Sequence, residues 1–117
     1  MSNYMKVSLE NAPRVELHDK LGLTGSEISI NTLPAGECVP FIHSHKQNEE
    51  VYYILSGSGK AIIDNDEIKL IAGDCLRVSP NAERQFFASK DCSISYICIQ
   101  TKENSLEGFT ANDAIIK

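Results

Sequence analysis

Apolar and polar residues alternate along short runs of this chain, and turn-forming residues separate the runs. Residues 27–31 alternate with a period of two, which is typical of a strand with one buried face. Further runs follow about every 8–12 residues, the spacing of an all-β sandwich or barrel. The later runs predicted as strands are 39–45, 50–55, 60–64, 67–71, 75–78, 84–88 and 92–101.

Glycine, proline, asparagine and aspartate mark the predicted turns. The segment Ser56-Gly57-Ser58-Gly59 predicts a turn between two strands. Asn65-Asp66 predicts a hairpin between 60–64 and 67–71, because Asn and Asp tolerate the left-handed conformation of such turns.

The length of 117 residues predicts one domain, residues 1–117. Its parts are an irregular N-terminal arm (1–25), a barrel over about 26–101 and a weakly patterned tail (102–117). Residues 51–55 are apolar on both faces of a strand, which in so small a domain indicates that a second subunit covers an outer sheet face. We therefore expect a homodimer.

Charge and hydropathy exclude several classes of partner. Eleven Lys and Arg residues face sixteen Asp and Glu residues, so the net charge of -5 argues against binding to nucleic acid or to anionic lipid. No apolar run approaches the roughly 20 residues of a membrane span, and the polar N-terminus does not resemble a secretory signal. The expected location is the cytoplasm. None of the four cysteines forms a C-x-x-C pair, so we expect free, mostly buried thiols.

Two of the three histidines, His43 and His45, are separated by one residue. On a strand, positions i and i+2 point to the same face, so the two imidazoles would project together. Imidazole is a common ligand of transition metals, and Glu50 at the start of the next strand could add a carboxylate. The alternative is a strand end whose histidines are merely solvated.

The residues around this pair resemble the first motif of the cupin family, G-x5-H-x-H-x(3 or 4)-E-x6-G. His43, His45, Glu50 and Gly57 keep its spacing, and Gly36 lies one residue early. The second motif, G-x5-P-x-G-x2-H-x3-N, is degenerate. Gly73 and Pro80 match it with one extra residue between them, while its second glycine, its histidine and its asparagine are replaced by Ala82, Gln85 and Ser89.

This resemblance, over about residues 26–101, implies a jelly-roll barrel (a double-stranded β-helix) that binds one divalent metal. By position, the ligands would be His43, His45, Glu50 and Gln85. A glutamine offers a neutral and weaker donor than imidazole, so the alternative is a site that has lost its metal and binds a ligand by hydrogen bonds. Zn, Fe, Mn, Ni or Co would each suit these donors.

Three further side chains are candidates for holding a small-molecule substrate. Tyr52 shares the face of Glu50 and could offer its hydroxyl, although a buried tyrosine bonded to the backbone is an equal alternative. Arg77 and Arg84 could each grip a carboxylate, or could be exposed strand charges.

The sequence leaves three functions open. The first is a metal-dependent enzyme of dioxygenase or isomerase type that acts on a small organic molecule inside the barrel. The second is a non-catalytic binding or sensing module with a degenerate or empty metal site. The third is a dimerisation scaffold. Fold alone does not choose among them.

Overall fold

The computed structural model describes residues 2–117, and their regular secondary structure is almost entirely strand. In chain order they are β1 (Arg14–Glu16), β2 (Glu27–Leu33), β3 (Asn48–Ile63), β4 (Asp66–Ile71), β5 (Cys75–Val78), β6 (Arg84–Ala88) and β7 (Ile94–Lys102). A one-turn helix α1 (His18–Leu21) follows β1, and a 3-10 helix (Thr110–Asn112) lies in the tail. The prediction of an all-β fold is confirmed.

Strand β3 organises the seven-stranded antiparallel sheet. Its first half pairs with β7 and β5, and its second half pairs with β4 and β6. On the far side of β7, the sheet continues through β2 to β1. One long strand thus carries the sheet around a common core, the arrangement expected of a jelly-roll barrel.

Side chains from both halves of the sheet fill that core. Its buried members are Tyr52, Ile54, Ala61, Leu70, Val78, Phe86, Ile94, Tyr96 and Cys98. Three of these side chains form an aromatic stack, in which the Phe86 ring lies 4.2 Å from that of Tyr52 and 5.3 Å from that of Tyr96. Such pairs add to the stabilisation from area burial alone.

The prediction of a turn at Ser56–Gly59 is wrong, because β3 continues through these residues. The register with β7 shifts between Ile54 and Ser56, which lets the strand bend from one half of the sheet to the other. Gly57 has a positive φ of 77°, and a Cβ there would lie 1.8 Å from the Ser93 carbonyl oxygen. Glycine at position 57 therefore allows both the bend of β3 and the close approach of the backbone at the start of β7.

Other elements also differ from the predictions. Residues 39–45 form no regular strand; an isolated bridge joins His43 to Arg84 of β6, and a second one joins the preceding Cys38 to Phe87. The hairpin turn is Asp64-Asn65, one residue early, with φ of 47° and 73°. The arm contains β1, whose three residues are too few to show a period in the sequence. Among residues 2–117, no helix has the length and hydropathy of a membrane span.

Candidate metal centre

His43 and His45 lie in the long segment between β2 and β3, and backbone bonds fix their positions. His43 N donates to the Arg84 carbonyl at 3.1 Å, and Arg84 N donates to the His43 carbonyl at 3.0 Å. His45 N donates to the Pro80 carbonyl at 2.7 Å. The ring centroids lie 5.2 Å apart. The imidazoles therefore converge as predicted, although the segment that carries them is not a strand.

Glu50 is the polar centre of the site. It lies near the start of β3 with only 4% of its surface exposed. Tyr52 Oη donates to its Oε1 at 2.5 Å, and the Cys98 thiol donates to its Oε2 at 3.3 Å. Strand alternation brings Tyr52 to the same face, and Cys98 lies directly opposite Tyr52 on β7. Both carboxylate oxygens are thus held by neighbours.

The two imidazoles face this carboxylate. His45 Nε2 lies 3.2 Å from Glu50 Oε2, and His43 Nε2 lies 3.8 Å from Oε1. One donor atom from each of the three residues lies within 4.8 Å of the other two. Within residues 2–117, the buried His45 Nε2 makes no hydrogen bond. A buried nitrogen without a partner and a donor set of two imidazoles and a carboxylate both fit a divalent transition metal.

Burial also favours the neutral form of His43. It lowers the pKa of His43 below the ordinary 6.5, and the nearby Arg84 cation lowers it further, against the opposing effect of Glu50. A neutral imidazole is the form that binds a metal.

The neighbouring hydroxyls and thiol stay protonated because burial disfavours their anions. It raises the pKa of Tyr96 to about 12 and raises those of Tyr52 and Cys98 strongly, with the Glu50 charge adding to the last two. Tyr52 and Cys98 therefore act as hydrogen-bond donors to the carboxylate.

The cluster opens into a cavity of about 490 Å³. Its walls are mainly apolar and aromatic, and they include Leu33, Val39, Phe41, Phe86 and Tyr96. A cavity of this size and lining is typical of a small-molecule site.

The other predicted site residues lie in different places. Tyr52 and Gln85 border the cavity, and the Gln85 amide Nε2 donates to the Val39 carbonyl at 2.8 Å. Arg77 lies on the exposed surface, where it pairs with Glu49 at 3.0 Å and with Glu103 at 3.1 Å. Arg84 is fully buried beside Glu50, so the alternative of an exposed charge is wrong for this residue.

Sequence reasoning missed two residues of the site. Cys98 and Tyr96 lie two positions apart on β7 and both face the cavity. Their alternation within a long apolar run was visible, but their approach to Glu50 depends on the register between β3 and β7, which the sequence does not display.

Comparison with known families and structures agrees with this architecture. The family model described as "Cupin domain" matches residues 29–100. A crystal structure of a cupin protein from Bacteroides fragilis is 56% identical, with 100% of this chain and 99% of that chain covered and a TM-score of 0.97.

Two more distant similarities add a structure and a sequence. A predicted oxalate decarboxylase from Thermotoga maritima superposes with a TM-score of 0.60 at 21% identity, over 64% of each chain. An uncharacterized protein of Methanocaldococcus jannaschii is 28% identical over 57 residues, which are 49% of this chain. The match spans only 46% of that curated relative.

Proposed function

The chain belongs to the cupin family, and we propose that it is a metal-dependent enzyme acting on a small organic molecule held in the barrel. The ligands of the metal would be His43, His45 and Glu50. The observation that supports this proposal is the convergence of their three donor atoms within 4.8 Å at the wall of an apolar cavity.

When bound, a divalent ion such as Zn, Fe, Mn, Ni or Co would supply Lewis-acid polarisation of a substrate oxygen. The chain itself would orient the ligands. Tyr52 and Cys98 hold the Glu50 carboxylate by one hydrogen bond to each oxygen, so it needs little reorganisation to bind an ion. The aromatic walls would exclude water around the substrate.

Gln85 is proposed as a fourth, weaker ligand. Its amide nitrogen is engaged by the Val39 carbonyl, which leaves the amide oxygen as its available donor. Two imidazoles, a carboxylate and an amide would leave further coordination positions for water or substrate.

A non-catalytic binding module is the second candidate, and one contact favours it. Arg84 NH1 lies 3.4 Å from Glu50 Oε1, so the carboxylate already has a cation beside it without any metal. Because the charges of Arg84 and Glu50 offset each other, the cavity could hold a ligand by hydrogen bonds alone.

The metal content of the purified protein tests the proposed metal site. We expect about one divalent metal per chain in protein supplied with Fe, Mn, Co, Ni and Zn, because three ligands are in place. A His43→Ala, His45→Ala double variant should lose it. A variant of the exposed third histidine, His18→Ala, should retain it. A wild-type protein with no detectable metal would contradict the metal site.

Turnover then separates an enzyme from a binding module. The metal-loaded wild type is incubated with small acids, sugars and phenols while oxygen uptake and product formation are followed. Product that forms with wild type and His18→Ala, but not with the double variant, supports an enzyme. A ligand that binds in the cavity and is recovered unchanged supports the binding module.

A further inference from the structure

Arg84 is a fully buried cation whose hydrogen-bonding capacity is only partly used. Its NH2 donates to the Ser79 carbonyl at 2.5 Å, while its NH1 lies 3.4 Å from Glu50 Oε1. Within the described part of the chain, its Nε and NH1 make no hydrogen bond. Buried guanidinium groups are rare without close partners, so this arrangement requires a reason.

The fold places this arginine in the buried interior beside His43, whereas its neighbour Gln85 borders the cavity. Arg84 pairs directly with His43 across an antiparallel bridge, and directly opposed residues share a face. Arg84 and Phe86 are buried, whereas Gln85 between them is only half-buried. The inward position beside His43 therefore holds a permanent positive charge.

The charges of the cluster follow from this placement. Glu50 and Arg84 cancel, and the two histidines are neutral when they serve as ligands. Farther along the cavity wall lie one cation, Arg14, and one anion, Glu27; Arg14 bonds to Asn31 and pairs with the exposed Glu16, and Glu27 accepts the amides that begin α1. A divalent ion would therefore leave the cluster with a net charge of about +2.

We propose that the metal-loaded cavity selects a carboxylate with an apolar body, and that Arg84 sets this preference. The inference rests on the proposed metal site. Because Arg84 offsets the charge of Glu50, that carboxylate does not also neutralise the metal ion. An anionic ligand would compensate the excess positive charge, since uncompensated buried charge is costly. The aromatic walls at Phe41, Phe86 and Tyr96 would pack against the body of the ligand. Because Glu50 stands between Arg84 and the cavity, Arg84 acts as a positioning residue through that carboxylate.

The test uses Co²⁺ as a spectroscopic probe of the intact protein. The Co²⁺-loaded wild type is titrated with benzoate, with its neutral isostere benzamide and with acetate, and the visible bands of the ion are followed. Benzoate should bind about tenfold or more tightly than benzamide because of its charge, and more tightly than acetate because of its ring. Equal affinities for benzoate and benzamide would overturn the inference. A wild type that binds no Co²⁺ would instead refute the metal site itself.

Two arginine variants isolate the residue. Arg84→Met should reduce the preference for benzoate over benzamide about tenfold, because one positive charge is removed from the cluster. Arg77→Met, which removes an arginine from the exposed surface, should keep the wild-type preference. Arg84→Lys retains the positive charge and should keep most of the preference for benzoate over benzamide. An Arg84→Met protein with an unchanged preference, or with no Co²⁺ binding, would exclude this role. If Arg84→Met does not fold, the benzoate and benzamide affinities of the wild type and of Arg84→Lys still decide: equal affinities in either protein would overturn the inference.

Discussion

Tyr52 Oη donates a 2.5 Å hydrogen bond to Glu50 Oε1, two residues earlier on the same strand. Both side chains face inward because the side-chain period of a strand is two. The bond is buried and charge-assisted, so it is among the stronger types of hydrogen bond in proteins. It fixes the orientation of the only carboxylate in the candidate site before any ion arrives.

Loss of this bond should destabilise the protein. For Tyr52→Phe we expect the free energy of unfolding to fall by about 1.5–3 kcal/mol, the range for hydrogen bonds to charged groups. Tyr53→Phe, at the neighbouring position on the outer face, should change it by less than about 0.5 kcal/mol. Urea denaturation of the three metal-free proteins measures both values. Equal effects of the two substitutions would mean that the Tyr52 hydroxyl contributes no stability.

The sequence predicted the site better than it predicted the elements that carry it. The spacing of His43, His45 and Glu50 selected residues that do converge, yet the first two lie on a segment held by isolated bridges. Pro40 has no backbone N–H to donate to a ladder, and a proline within such a run argues against a regular strand, although the spacing of apolar residues alone predicts one. The bend of β3 at Gly57 is wrongly predicted as a turn, because glycine is typical of turns and of sharp bends alike.

The role of Arg84 could not be predicted from spacing. The second motif contains one extra residue between Gly73 and Pro80, so counting alone does not fix which side chain of β6 faces inward. That is decided by the pairing of Arg84 with His43, a contact between residues 41 positions apart in the chain. Long-range register of this kind is set by packing and not by local pattern.

Gln85 provides a direct test of the fourth ligand. We expect Gln85→Ala to weaken Co²⁺ binding about tenfold, since even a residue that only hydrogen-bonds to a metal ligand typically contributes this much. Gln100→Ala is the matched control, because Gln100 also borders the cavity but accepts a hydrogen bond from Asn48. Isothermal titration of each variant gives the affinity. An unchanged affinity in Gln85→Ala would remove Gln85 from the ligand set.

Cys98 should resist alkylation in the folded protein. Its thiol is buried against Glu50, and both effects raise its pKa, so the reactive thiolate is scarce at neutral pH. Cys38, Cys75 and Cys92 are exposed, so the expectation of mostly buried thiols is wrong, and Cys38 and Cys92 serve as internal controls. After brief iodoacetamide treatment, peptide mapping should find these two modified and Cys98 unmodified, with full modification only in denaturant. Rapid labelling of Cys98 without denaturant would contradict the packing described for β7.

The metal-free protein should lose stability as the pH falls through the range in which His43 titrates. Because its pKa is lowered on folding, the unfolded chain binds more protons just below the ordinary value of 6.5. Stability therefore declines from pH 6.5 downward until the folded-state pKa is passed. Chemical denaturation at about pH 7.5 and 5.5 should show a smaller decline for His43→Gln than for the wild type. The decline should be unchanged in His18→Gln, and an equal decline in all three proteins would contradict the assignment.

The outer face of the sheet predicts a homodimer. Two rows of paired residues cross it, Ile28–Ile99–Val51–Arg77 and Ile30–Ile97–Tyr53–Cys75, and both are apolar except for Arg77 at the β5 edge. Val51, Tyr53 and Ile99 are each 37–40% exposed in the single chain. A sheet face with an apolar centre of this kind is typical of an interface.

Sedimentation velocity at micromolar concentration tests this interface. We expect a dimer for the wild type and a monomer for Tyr53→Glu, since a charge at the centre of an apolar interface would be buried without a partner. Ile71→Glu changes an exposed apolar residue on β4, outside the two rows, and should remain dimeric. In the dimer, Cys75 should be alkylated more slowly than Cys38 and Cys92, and Tyr53→Glu should abolish this protection. A monomeric wild type, or a Tyr53→Glu variant that still dimerises, would show that another surface or none forms the contact.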